Sequence, residues 1–295
     1  MKRYCFLGFL FFLFPAILVA ADAKNGYVLT DFIRVTKPEG KKTPTSYDTA
    51  IAKFAGENNV EVDLIGVIHI GDKDYYSELN KIFKQYDAVL YELVAEENTK
   101  PSTEHSGERN ILGSFQSGMG SALALEHQLK HIDYDAKNMI HADLSPSEFA
   151  QRISVRGDII QTLYRAMILG VKKSGPEGQK DELKMQGRLL GSFFASDPSL
   201  SLKRVFAEEM LSQMDDATWV IGGDEGSAII TDRNAAALKV LRQELKNGKK
   251  KIAIFYGAAH LPEFAKSLEK DFQMKYVGID WVIAWDLTKE KSARK

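Results

Sequence analysis

Two tetrapeptides far apart in the chain carry its most pointed chemistry, Gly66-Val67-Ile68-His69 and Gly257-Ala258-Ala259-His260. Each follows an apolar run, Val62-Asp63-Leu64-Ile65 in the first case and Ile252-Ala253-Ile254-Phe255-Tyr256 in the second. Such runs predict buried strands. A third run, Asp87-Ala88-Val89-Leu90-Tyr91, ends in Glu92. Neutral imidazole is the commonest metal donor and the side chain best suited to proton transfer near neutral pH. A carboxylate in a partly dry pocket beside a cation serves as a metal ligand or as a general base. In a parallel α/β sheet the strand C-termini share one edge, and ligands bind in the crevice there. His69, His260 and Glu92 are therefore expected to meet in a polar site. The glycine opening each motif lets the backbone turn sharply or approach a ligand with no Cβ in the way.

Other positions support this set. His141 and Asp143 leave the short strand Asn138-Met139-Ile140 as an H-x-D pair, and side chains two residues apart on a strand share a face. Asp143 can equally cap the turn that follows. Tyr256 and Asp72 flank the two motifs and are expected just behind the site. His105 sits in a polar stretch. His127 and His131 stand four apart on a helix, but without the glutamate of an H-E-x-x-H motif they read as ordinary residues. Arg233 lies on a helix beside Ala235-Ala236-Ala237, and pattern alone would leave it in solvent.

The ordered set of strand-GxxH, strand-Glu, helix-Arg (Thr231-Asp232-Arg233-Asn234) and a second strand-GxxH resembles the TraB/GumN/TIKI family. That family is related in fold to erythromycin esterases and to ChaN-like haem-binding proteins. The resemblance is firmest over 60–95 and 225–290. It implies a hydrolase acting on a peptide or ester bond, in which His69, His260 and Glu92 hold or activate a divalent metal such as Mn²⁺, Co²⁺ or Zn²⁺. It also gives Arg233 a role, as a forked donor that clamps a substrate anion or stabilises an oxyanion. Erythromycin-esterase-like members work through His and Glu as acid and base, without that metal. The alternative implied by the ChaN-like relatives is a non-enzymatic protein in which a histidine or tyrosine ligates haem or another ligand.

Composition narrows the setting. Lys2 and Arg3 precede an apolar run from Cys5 to Ala20, and small residues follow. This pattern reads as a secretory signal over residues 1–22, cleaved so that no stable membrane anchor remains; the run is shorter than the roughly 18–20 apolar residues of a spanning helix. Cys5 is the only cysteine, so the mature chain has no disulfide and no thiolate ligand. Export without disulfides points to the periplasm or cell envelope of a bacterium. With 39 basic against 40 acidic residues, nothing marks a nucleic-acid surface. No Walker loop, GxGxxG or GxSxG elbow occurs.

The elements that must position the site follow from periodicity. Strands are expected at 26–35, 47–54 and 60–68, the last two antiparallel. A helix over 73–85 and a strand ending at Glu92 complete a βαβ unit, which forces a parallel pair. Residues 95–117 read as an exposed loop, and 119–131 as a helix. Ser145-Pro146-Ser147-Glu148 is a capping box, and helical spacing runs from there to about 214 with breaks at 173–178 and 196–199. A helix over 227–245, a strand at 252–256, a helix over 262–271 and a strand at 275–287 close the chain. Residues 23–295 thus read as one α/β domain, a mostly parallel central sheet with flanking helices and a helical cap inserted at about 105–225. A peptide or small molecule is the expected partner; oligomeric state has no sequence signature here.

Overall fold

The computed structural model describes residues 26–96, 123, 125–222 and 226–288. The expected export signal at 1–22, His105 and most of the expected 95–117 loop lie outside the described residues. The described elements are β1 (Ile33–Thr36), β2 (Ser46–Ala55), β3 (Glu61–Val67), β4 (Ile70–Gly71), α1 (Lys73–Phe83), β5 (Ala88–Tyr91) and β6 (Glu126–His127). Then follow α2 (Gln128–His131), β7 (Met139–His141), α3 (Pro146–Arg156), α4 (Asp158–Lys173), α5 (Pro176–Phe193) and α6 (Pro198–Gly222). A π-helical turn, Ala228–Asp232, runs directly into α7 (Arg233–Lys246), followed by β8 (Lys251–Gly257), α8 (Leu261–Asp271) and β9 (Lys275–Asp286).

Seven strands form the main sheet in the order β1-β2-β3-β8-β5-β7, with β9 along the other edge of β2. β3, β8, β5 and β7 pair in parallel. β2 is antiparallel to each of its neighbours, so it alone runs against the rest. The expected antiparallel pair of β2 and β3 is present, in the register Ile51↔Ile65 to Ala55↔Glu61. The expected βαβ unit is also present, but β3 and β5 are not neighbours: β8, from the far end of the chain, lies between them. Glu92 therefore stands beside the second GxxH strand, not the first.

Strand alternation explains the layering. In β8, Ile252, Ile254 and Tyr256 face one side, where they pack on Leu238 and Leu241 of α7 and Leu261, Phe264 and Leu268 of α8. Ala253 and Phe255 face the other side, where Tyr75, Tyr76, Leu79 and Phe83 of α1 pack. A strand covered on both faces must be apolar on both, which is why β8 reads as a continuous run. The result is an α/β fold with helices on both sheet faces.

Three expected elements differ. The first strand begins at Ile33, because residues 29–31 form a 3₁₀ turn that Asp31 closes by accepting from the Val28 amide at 3.1 Å. In the 119–131 stretch only the turn Gln128–His131 forms as a separate described helix, since Glu126 and His127 pair with Gly71 and Ile70. The helical insertion also contains β7, a full member of the sheet, so the continuous helical segment is 146–222. Its capping box is in place, with the Ser145 hydroxyl accepting from the Glu148 amide at 3.2 Å and Glu148 accepting from the Ser145 amide at 3.0 Å. Gly157, in the left-handed conformation at φ 68°, adds a break between α3 and α4. These helices pack on β1, on the 29–31 turn and on the 228–232 turn.

Candidate functional site

Parallel strands bring the motif residues to one edge. An ideal Cβ built on Gly257 would stand 3.1 Å from Glu92 Oε2, 3.8 Å from His260 Cδ2 and 3.9 Å from His69 Nε2. The three side chains thus surround a single point at the end of β8. Gly257 has an ordinary φ of −49°, so glycine is needed there for space and not for conformation. Its amide donates to Glu92 Oε2 at 2.6 Å, a contact that a side chain at 257 would crowd.

The two histidines are held alike. His260 is buried, and its Nδ1 lies 2.6 Å from Asn234 Oδ1. Asn234 Nδ2 donates to the His260 carbonyl at 3.2 Å, which fixes the amide so that its oxygen faces the ring. Nδ1 is then the protonated nitrogen of the neutral imidazole, and Nε2 carries the lone pair. That Nε2 faces Glu92 Oε1 at 3.7 Å, too far for a hydrogen bond. His69 Nδ1 lies 3.0 Å from Gln128 Oε1, while Gln128 Nε2 donates to the Tyr134 hydroxyl at 2.7 Å. The Gln128 amide also donates to the His69 carbonyl at 2.9 Å. His69 Nε2 likewise has no hydrogen-bond partner among the described residues. His69 is exposed, whereas His260 is buried, so the site opens on the His69 side.

Arg233 holds the opposite wall. Its Nη2 donates to Glu92 Oε1 at 2.7 Å and to Asp143 Oδ2 at 2.6 Å, and its Nε donates to Asp143 Oδ1 at 3.0 Å. Both carboxylates are nearly enclosed, Asp143 completely so. This forked pairing engages Nε and Nη2 and so fixes both carboxylates; burial alone would oppose the guanidinium's charge, and the two carboxylates keep it charged.

Electrostatics separates the two buried titratable groups. Desolvation is the largest influence on Glu92 and resists its ionisation, but His260, Arg233, His69 and the Gly257 amide together outweigh it and bring it down to about 2. Desolvation pushes His260 down to about 4, with Arg233 and His69 adding to the effect and Glu92 opposing it. At neutral pH the pocket thus holds an ionised Glu92 and a neutral His260. One guanidinium faces two carboxylates, leaving a formal charge of −1 among acceptor atoms.

The remaining candidates fall behind this set. The Tyr256 hydroxyl donates to the Ala142 carbonyl, and its ring meets His260 edge-on at 5.1 Å; it packs the buried imidazole. His141 Nε2 lies 2.6 Å from the Leu93 carbonyl and donates to it. It shares a strand exit with Asp143 but not its contacts. Asp143 accepts from the Leu144 amide at 2.8 Å as well as from Arg233, so the capping role and the site role coexist. Asp72 is elsewhere, tied to Lys203 at 2.6 Å and to the Asp286 amide at 2.6 Å. His131 Nε2 lies 3.4 Å from Glu126. Asn234, Gln128 and Tyr134 carried no motif; only the position of Asn234 beside Arg233 hinted at its place.

Two bare imidazole nitrogens, a carboxylate and a local charge of −1 suit a divalent cation, and imidazoles whose other nitrogen donates to an oxygen are the usual form of metal-bound histidine. Their spacing is open: among the described residues no three His, Asp or Glu side chains are grouped closely enough to hold an ion. No protein-family model, curated protein or solved structure matches the chain.

Proposed function

We propose that this protein is a metal-dependent hydrolase of the bacterial envelope that cleaves a peptide or ester bond. The observation that carries the reading is the paired fixing of His69 and His260 around the end of β8: each Nδ1 is tied to an amide oxygen, and neither Nε2 has a hydrogen-bond partner among the described residues. When bound, a divalent cation such as Mn²⁺, Co²⁺ or Zn²⁺ supplies Lewis acidity, making water a nucleophile near neutral pH and polarising a scissile carbonyl.

The chain's own residues supply the rest. Glu92 brings the negative charge and is kept from turning by Arg233 on one oxygen and the Gly257 amide on the other. Asp143 holds Arg233, and through it Glu92. His260 Nε2, held neutral by burial, offers a lone pair from the closed side. His69 Nε2, on the open side, is placed to take a proton from an entering nucleophile and return it to a leaving group. Haem ligation is the weaker reading, because His260 Nε2 faces a carboxylate at 3.7 Å.

Thermal melting of the wild type and of His260→Ala, each with and without Mn²⁺, Co²⁺ or Zn²⁺, tests the proposal. A metal that binds the native state raises the melting temperature, and the rise should vanish in the variant. Hydrolysis lost in the variant with no metal response in either protein would indicate metal-free His/Glu catalysis. A haem spectrum in the purified wild type would sink the hydrolase reading.

A further inference from the structure

The most unusual surface lies away from the site, on α4. Its inward positions Gln161, Thr162 and Arg165 are only partly buried. Its outward positions Ile159, Ile160, Leu163, Tyr164, Met167 and Val171 are exposed by 58–75%. The helix is amphipathic in the wrong sense, with apolar side chains facing out and polar ones facing in. These six large side chains, each more than half exposed, together present several hundred Å² of mostly apolar surface. The largest apolar patch of an ordinary monomer is about 300–600 Å². Among the described residues nothing covers the face.

We infer that this face is the interface with a second copy of the same chain, α4 packing against its two-fold mate. Each partner in a specific interface contributes about 800 Å², the same order as the face that α4 leaves uncovered. A two-fold interface must be self-complementary, and an outward face free of charge meets its own copy without like-charge repulsion. A lipid surface fits less well, because helices lying on membranes set a Lys/Arg-rich face beside the apolar one. Here Arg165 is occupied by the Val220 and Ile221 carbonyls and Lys173 pairs with Asp216 at 3.0 Å, so Lys172 is the one basic side chain of α4 without such a partner among the described residues. The interface also bears on the site. Asp158, at the start of α4, accepts from the Ala228 amide at 2.6 Å, and Ala228 opens the turn that ends at Arg233.

Sedimentation velocity across a micromolar concentration series, on wild type and on Leu163→Glu/Met167→Glu, tests the inference. The wild type should be dimeric. The variant should be monomeric, its dissociation constant raised by more than about 100-fold, or ~2.7 kcal/mol, with unchanged far-UV circular dichroism and a melting temperature that no longer rises with protein concentration. Should the double variant misfold, Ile160→Lys supplies the same comparison. A wild type that stays monomeric throughout overturns the inference, as does a dimer that both variants leave intact. Flotation of monomeric wild type with phosphatidylglycerol vesicles would assign the face to a membrane instead.

Discussion

Gly257 is the residue on which the site's geometry turns. Its amide binds one Glu92 oxygen, and its missing Cβ leaves room for that oxygen at 3.1 Å. An added methyl would require Glu92 to retreat, but Arg233 already holds the other oxygen at 2.7 Å. Crowding a well-packed site commonly costs about 1–3 kcal/mol. Gly257→Ala should accordingly lower urea-unfolding stability by that order and abolish the metal-dependent rise in melting temperature. A variant with both properties intact would show that Glu92 has freedom its partners seem to deny it. The same logic gives Asp143 a positioning role, since it is fully enclosed and holds Arg233 Nε and Nη2, and through them Glu92.

At the scale of elements, β9 ties the first GxxH exit to the rest of the sheet. Trp285 is fully buried against Tyr47, with ring centroids 5.0 Å apart, and its Nε1 donates to the Ile70 carbonyl at 2.8 Å. Ile70 follows His69 directly and pairs with His127, and Gln128 next to it grips the His69 ring. Trp285→Phe keeps most of the packing but leaves a buried carbonyl without its donor, a loss of about 1–3 kcal/mol. The expected result is a lower melting temperature together with faster hydrogen exchange at the amides of Ile70 and Gln128. Faster exchange across β8 as well would mean that the sheet had loosened generally and that Trp285 has no special hold on His69.

For the whole molecule, the buried pair makes acid the natural denaturant. The folded-state pKa of His260 is depressed from 6.5 to about 4 by burial, so the unfolded chain binds a proton that the folded chain refuses. Stability therefore falls as pH drops from about 6.5 to about 4. Glu92, depressed from 4.5 to about 2, loses its contribution to stability as pH falls through that lower window. Urea midpoints of chelator-treated protein should decline over both ranges. In His260→Gln, which cannot titrate, the decline between pH 6.5 and 4 should flatten while the lower one persists. An unchanged slope in the variant would place the acid-sensitive group elsewhere.

Much of the fold was legible because it obeys local rules. The apolar runs of β3, β5 and β8, the capping box at Ser145 and the helical spacing of α1 and α8 reflect short-range periodicity and capping, which a sequence displays directly. The matched GxxH motifs likewise set His69 and His260 at strand exits on one edge. Strand order was not legible. Nothing local says that β8 enters between β3 and β5, yet that insertion makes Gly257 the floor of the site and gives Glu92 its neighbours. Nor could spacing reveal that Asn234 and Gln128 choose the imidazole tautomers, or that Arg233 holds both Asp143 and Glu92. The types of the reactive groups and the edge they share were determined by the sequence alone. Which atoms remain free for chemistry was decided only by the tertiary structure, because hydrogen bonds between distant residues, such as that from Gly257 to Glu92 across 165 positions, form only once the sheet has closed.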